Sequence, residues 1–252
     1  MTRLEVHVQR DSLLRTLSTS RLFRGLDPAF LAALVPHASL VRLEHGECLW
    51  RRGTPAEHFH VVLRGVLELQ RAATGPDTTL IALFGPGESP AIPATLERRT
   101  FIADSFAASP SLEVLRVRAA PILDAMPDDA RLAIAMNRAL LDHCALLHSK
   151  IDVLAAGAVP RRVAAFMLDL AERFGDEGLD GRTYVPLALS RAHVATYVGA
   201  RVETVIRVFS QWQREGLVST TKDGFVIHSI DALKSLLGGS AAADEDAVAA
   251  SS

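Results

Sequence analysis

Glu203 and Arg207 stand four residues apart in the run Val202-Glu203-Thr204-Val205-Ile206-Arg207. On a helix that spacing places them on one face. A carboxylate can accept a hydrogen bond from the amino group of cytosine, and a guanidinium can donate two bonds to the N7 and O6 edge of guanine. On an ordinary helix the same pair is a surface salt bridge, so the context decides. That context is the stretch from Ser190 to Glu215. A helix-turn-helix packs two short helices around a sharp turn. The crossing requires a small residue, the turn a flexible one, and the interior apolar side chains at fixed offsets. Ala195 fills the small position, Gly199 follows four residues later at the turn, and Val205 comes six after that. Val194, Val198 and Val208 supply the remaining apolar contacts, and Ser190 is a helix N-cap. The second helix is predicted over 202–214, with its N-terminal end in the major groove.

Gly216-Leu217-Val218 and Phe225-Val226-Ile227 flank Thr221-Lys222-Asp223-Gly224. Two short apolar strands around an Asp-Gly turn read as a β-hairpin, the wing of a winged helix-turn-helix. Lys222 at its tip could meet a phosphate or be a solvated turn residue.

The elements that must carry this reader lie upstream. From Asp128 to about Ala156 there is no Gly or Pro, and Ala and Leu dominate, which predicts one long helix with Asp128 and Asp129 at its positive end. Leu140, Cys144, Leu147, Ile151 and Leu154 recur in alternating steps of four and three, the spacing of a coiled coil, and the seam extends back to Asn137 and Ala133. A two-fold dimer seam is the leading expectation, and a helix buried within its own domain is the alternative. Cys144 on that seam could form a redox-sensitive bridge across the axis, or be a core residue. Gly157 and Pro160 mark a hinge. A helix over 161–174 follows, with Val163, Phe166, Met167 and Leu170 on its apolar face, then a Gly/Asp-rich loop over 175–181.

Residues 21 to about 118 have a different texture, short apolar runs broken by Gly46, Gly53, Gly65, Gly75, Gly85 and Gly87. That pattern predicts a β-barrel or sandwich. Val66-Leu67-Glu68-Leu69-Gln70 alternates, with Leu67 and Leu69 on one face and Glu68 and Gln70 on the other.

Bulk composition narrows the function. The 252 residues carry a net charge of −2, so duplex binding must come from a local patch. Cys48 and Cys144 are the only cysteines, too few for a four-thiolate iron–sulfur site or a disulfide framework, which fits a reducing cytoplasm. Residues 1–10 do not read as a signal peptide, no apolar run is long enough to span a bilayer, and no membrane partner is expected. There is no nucleophile elbow, phosphate loop or zinc motif, so an enzyme is not expected.

These residues resemble the Crp/Fnr superfamily of bacterial transcription regulators over about 22–237. At the C-terminal end the likeness rests on Leu189-Ser190-Arg191, Val198-Gly199 and Val202-Glu203-Thr204-Val205-Ile206-Arg207. The resemblance implies that Glu203 and Arg207 read base edges and that Ser190 and Arg191 meet phosphate. Val202 is similar to the Fnr branch, where the cAMP-receptor branch has Arg, and Ile206 departs from both branches, which carry Ser or Gly. At the N-terminal end Leu22-Phe23-Arg24-Gly25-Leu26, Gly46-Glu47, Gly53 and Gly65-Val66 resemble the superfamily's cyclic-nucleotide-binding-like barrel.

In cAMP-binding members a Gly-Glu pair grips the ribose and an Arg-Ser/Thr pair the cyclic phosphate. Arg99-Thr100 occupies the second position here, while Ala91-Ile92 brings no acidic group to the first. Cyclic nucleotide is therefore disfavoured. Haem with a diatomic gas is the competing effector, with weak ligand candidates His58, His60, His143 and His148. His58 and His60, two apart on a strand, are expected to face opposite sides, and His143 and His148, five apart, to share a helix face poorly. Other small molecules and thiol redox also stay open.

The expected protein is thus α+β: an N-terminal lead-in (1–20), a jelly-roll β-barrel sensor (21–126), a dimerisation helix (127–156), a winged helix-turn-helix (157–237) and a disordered tail (238–252). As a cytoplasmic homodimer it reads a palindromic operator in double-stranded DNA, and the resemblance adds RNA polymerase as a partner. The rival is a cyclic-nucleotide-type regulatory module that does not bind DNA.

Overall fold

The computed structural model describes residues 3–72, 78–178 and 180–238, with side chains from residue 10 onward. The expected disordered tail lies outside the described residues, apart from its first position. The chain divides into two compact units, residues 1–76 with 81–146, and residues 77–80 with 147–252. Among the described residues no helix is long and apolar enough to cross a membrane.

The first unit opens with α1 (Arg3–Thr19) and α2 (Pro28–Leu34). Asp27 caps α2, its carboxylate accepting from the backbone of Ala29 at 2.8 Å. Seven strands follow: β1 (Ala38–Glu44), β2 (Cys48–Trp50), β3 (His58–Arg64), β4 (Leu67–Ala72), β5 (Thr78–Phe84), and, after the short α3 (Ile92–Leu96), β6 (Asp104–Ala107) and β7 (Ser111–Arg118). They form two sheets, ordered β1-β7-β3 and β2-β6-β4-β5, rather than one closed barrel. The inner faces meet in one core built from Val62, Leu112 and Val114 of the first sheet and Trp50, Leu67, Leu69, Phe84 and Ala107 of the second.

The outer face of the three-stranded sheet is covered as well. Phe59 and Val61 of β3 and Leu115 and Val117 of β7 pack with Leu17 of α1, Leu22, Phe23 and Leu26, with Ile122 of α4 (Ala119–Ala125), and with Leu132, Met136 and Ala139 of α5 (Ala130–Ala155). The lead-in is thus helical, and Leu17 is wholly buried in this outer-face core. Gly65 lies where the chain must pass close to β7: a Cβ there would stand 2.1 Å from the Ser111 carbonyl oxygen.

The strand expected from Val66 to Gln70 is covered on both faces. Leu67 and Leu69 are in the core, yet Glu68 is also buried, at 6% exposure, with Gln70 Nε2 donating to its carboxylate. A period of two assigns residues to faces, and it does not say whether the second face meets water.

The second unit begins with the end of α5. After Gly157 come α6 (Val159–Phe174), β8 (Asp176–Glu177), β9 (Thr183–Val185), α7 (Arg191–Tyr197), α8 (Val202–Arg214), β10 (Val218–Thr220), β11 (Phe225–Ile227) and α9 (Ile230–Gly238). The hairpin expected at the wing is part of a four-stranded sheet, β10-β11-β9-β8. The segment read as a Gly/Asp-rich loop supplies β8, which pairs antiparallel with β9, because its polar residues sit at a sheet edge. Gly224 is there for space: a Cβ would stand 2.1 Å from the Val185 carbonyl oxygen of the neighbouring strand.

Candidate nucleic-acid interface

Ser190 starts the first helix of the motif. Its hydroxyl accepts from the His193 backbone N–H at 3.0 Å, one of the unpaired donors at a helix start. Val194, Ala195 and Val198 are fully buried, and Gly199 takes φ +62° at the turn, a left-handed conformation that costs residues with a Cβ. The helix α8 then runs from Val202 to Arg214, the span expected from sequence.

The two sides of α8 differ sharply. Val205, Val208, Phe209 and Trp212 are buried, while Glu203, Ile206 and Arg207 are exposed, Ile206 to 46%. At about 100° per residue the exposed three fall within an arc of about 100°, opposite the buried four. Val202 is half-buried at the first position. Arg207 Nη2 lies 3.5 Å from the Thr204 hydroxyl.

Arg191 has a second task beyond the one its position suggests. Its guanidinium lies 3.8 Å over the Phe209 ring and 5.5 Å from Phe225, and Nη2 donates to the Thr220 hydroxyl of β10. Burial lowers its pKa. The side chain therefore ties α7 to α8 and to the wing strands, leaving only part of its donor fork for a phosphate. Lys222 is exposed in the turn between β10 and β11, which Thr221 closes by a backbone bond to Gly224 at 2.9 Å.

Sequence reasoning missed Arg162. From the first turn of α6 its Nη1 donates to the carbonyls of Val198 at 2.8 Å and Gly199 at 3.0 Å. These are groups that a helix end leaves unpaired. No spacing rule links a residue 36 positions away to that turn.

The residues proposed for an effector do not converge. Ile92 is fully buried in the cluster on the outer face of the three-stranded sheet, and Ala91 before it has φ +58°. Arg99 is exposed, its side chain at 75%, and ion-paired to Glu97, and Thr100 is exposed too. Neither Ala91 nor Ile92 carries a side-chain hydrogen-bond acceptor.

His58 and His60 correct the expectation that they face opposite sides. Residues two apart on a strand share a face, and the two rings stand 6.3 Å apart. His60 is buried, with the Trp50 ring at 4.7 Å and Phe101 at 6.1 Å. Its Nδ1 lacks a hydrogen-bond partner among the described residues, and desolvation pushes its pKa down to about 3. A haem needs an imidazole facing a cleft as wide as the macrocycle, whereas His60 faces aromatic rings. On α5 His143 is half-buried, which lowers its pKa, and His148 is exposed.

The seam on α5 is partly open. Asn137, Cys144, Leu147, Ile151 and Leu154 are exposed. Leu140 lies on the same stripe and is half-buried, packed against the core of the first unit, to which the helix also gives Leu132, Met136 and Ala139 at helical spacing. Ile134 and Leu141, exposed to 51% and 61%, flank the open stripe.

Comparison with known proteins agrees with this geometry. Residues 161–236 match the Crp-like helix-turn-helix domain, and residues 40–129 match the cyclic nucleotide-binding domain. A transcriptional regulatory protein, btr, from Bordetella pertussis is 26% identical over 198 residues, covering 79% of this chain and 81% of that one. The transcriptional activator anr from Pseudomonas aeruginosa is 26% identical over 202 residues, covering 78% and 80%. In fold, the chain is similar to a CRP-family regulator from Thermus thermophilus, with TM-score 0.67 and 20% identity over 79% of this chain and 97% of that one. A roll followed by a helix-turn-helix with an open recognition face defines a DNA-binding transcription regulator. The chain belongs to the Crp/Fnr superfamily.

Proposed function

We propose that the chain acts as a homodimer that reads a palindromic operator through Glu203, Ile206 and Arg207 of α8, under control of a signal sensed in the roll. The observation that carries this is the division of α8, four large apolar side chains inward and a charged pair with an open isoleucine outward. Ser190, Arg191 and Lys222 border that face and suit phosphate contacts, which set position rather than sequence. The open seam of α5 suits a parallel two-fold pairing, which must bring the two recognition helices about 34 Å apart, one turn of DNA. Contact with RNA polymerase completes the proposed reading, since one similar protein, anr, is a transcriptional activator.

The effector we propose is not a cyclic nucleotide held in the usual way. Ile92 offers a ribose hydroxyl no acceptor, and an unpaired buried hydroxyl costs about 1–3 kcal/mol. Signal transfer follows from differential affinity: the effector must bind one arrangement of α5 better than another.

The experiment is selection of duplexes from a random library by the full chain, followed by binding of the selected duplex across a range of salt. Sequence-selective, salt-dependent binding lost in Glu203→Ala with Arg207→Ala supports the reading. Unchanged affinity and preference in that double variant would sink it, and the absence of any duplex binding would favour a regulatory module without a DNA role.

A further inference from the structure

Ile206 is the one large apolar side chain of α8 that the fold leaves in the open. Val205, Val208, Phe209 and Trp212 are all at 6% exposure or less, whereas Ile206 stands at 46%. It lies between two polar readers, three residues after Glu203 and one before Arg207, with the small Ser210 one turn further on. Nothing in the fold needs it there, since the core of the motif closes without it. An exposed isoleucine amid side chains placed to meet base edges must itself meet a base edge when they do.

The major groove presents few apolar groups to such a side chain. Guanine shows two acceptors, adenine an acceptor and a donor, cytosine a donor, and thymine an acceptor with its 5-methyl group. Set against an amino group or a carbonyl, the isoleucine would strip water from a polar edge and return no hydrogen bond. Against a methyl group it buries apolar surface on both sides. We propose that Ile206 is a specificity-determining residue that selects a thymine in each operator half-site through the 5-methyl group. This rests on the DNA-reading function above and adds a base that neither Glu203 nor Arg207 can choose.

Uracil differs from thymine only by that methyl, so the test replaces each thymine of the selected operator by uracil, one position at a time. The expected result is one position per half-site at which the loss of the methyl weakens binding about fourfold, the worth of one buried methyl-sized group. In Ile206→Ala the same substitution should change nothing, while the variant melts as the parent does, because the side chain is exposed. Replacing that T·A pair by 5-methylcytosine·G should bind more tightly than cytosine·G in the parent and equally in Ile206→Ala. Uracil insensitivity at every thymine, or a sensitivity that survives in Ile206→Ala, would overturn the assignment. If an operator is enriched and depends on Glu203 and Arg207 yet ignores the methyl, the role of Ile206 alone fails. If no sequence is enriched, the DNA-reading function fails and takes this role with it.

Discussion

Arg162 and Gly199 are joined across the turn of the helix-turn-helix. The guanidinium Nη1 donates to the Gly199 carbonyl at 3.0 Å and to the Val198 carbonyl at 2.8 Å. Gly199 itself sits at φ +62°. A built Cβ there would meet Arg162 Nη1 and Leu154 Cδ2 at 3.5 Å, ordinary contact, so space is available and the conformation is what excludes other residues. Arg162→Ala should leave two helix-end carbonyls without this donor and lower stability by about 1–3 kcal/mol. Gly199→Ala should cost about 1–2 kcal/mol from the left-handed backbone alone. Urea unfolding measures both. In Arg162→Ala, operator affinity should fall more than affinity for random duplex, since a loosened turn misplaces α8 and leaves the charge pattern of the other readers alone.

The stacking of Arg191 on Phe209 predicts a separation between charge and shape. Arg191→Lys keeps a cation and loses the planar fork that stacks and bonds to Thr220. Amide hydrogen exchange in β10 and β11 should rise in Arg191→Lys, and rise likewise in Thr220→Val. Unchanged protection in both would mean that neither the stack nor the Thr220 bond secures the wing.

Adjacent leucines on α5 should fail in different ways. Leu141, at 61% exposure, flanks the open stripe, and Leu141→Glu should convert the proposed dimer to a monomer in sedimentation with little change in the stability of the first unit. Leu140 is half-buried against the core of the first unit, and Leu140→Ala should lower the stability of that unit by about 1–3 kcal/mol. A monomeric parent protein would refute the two-fold arrangement.

His60 makes the roll sensitive to acid. Its folded pKa of about 3 lies below the ordinary imidazole value of 6.5, so between those limits the unfolded chain binds the extra proton. Stability is then fully present above pH 6.5 and falls with decreasing pH by about 1.4 kcal/mol per pH unit from this group, until pH approaches 3. His60→Leu removes that proton linkage. Urea midpoints measured from pH 7 to pH 4 should fall less steeply in the variant, and parallel profiles would refute the burial of a neutral imidazole.

The sequence alone determined the parts whose rules are local. Ser190, Ala195, Gly199 and Val205 obey a short-range template, because the cap, the crossing and the turn all fall within one motif, and α8 has the span that its residues predict. The long helix α5 follows from a run without Gly or Pro. The tertiary structure decided what lies on the far side of each element. Periodicity could not tell that β3 and β4 are covered on both faces, so that Glu68 and His60 are buried. It could not tell how much of α5 the first unit claims, which half-buries Leu140 and leaves Leu141 open. Nor could it pair Arg162 with a turn 36 residues on, or stack Arg191 on Phe209. Period and propensity are properties of neighbours along the chain, whereas burial and partnership depend on which distant segments pack against them.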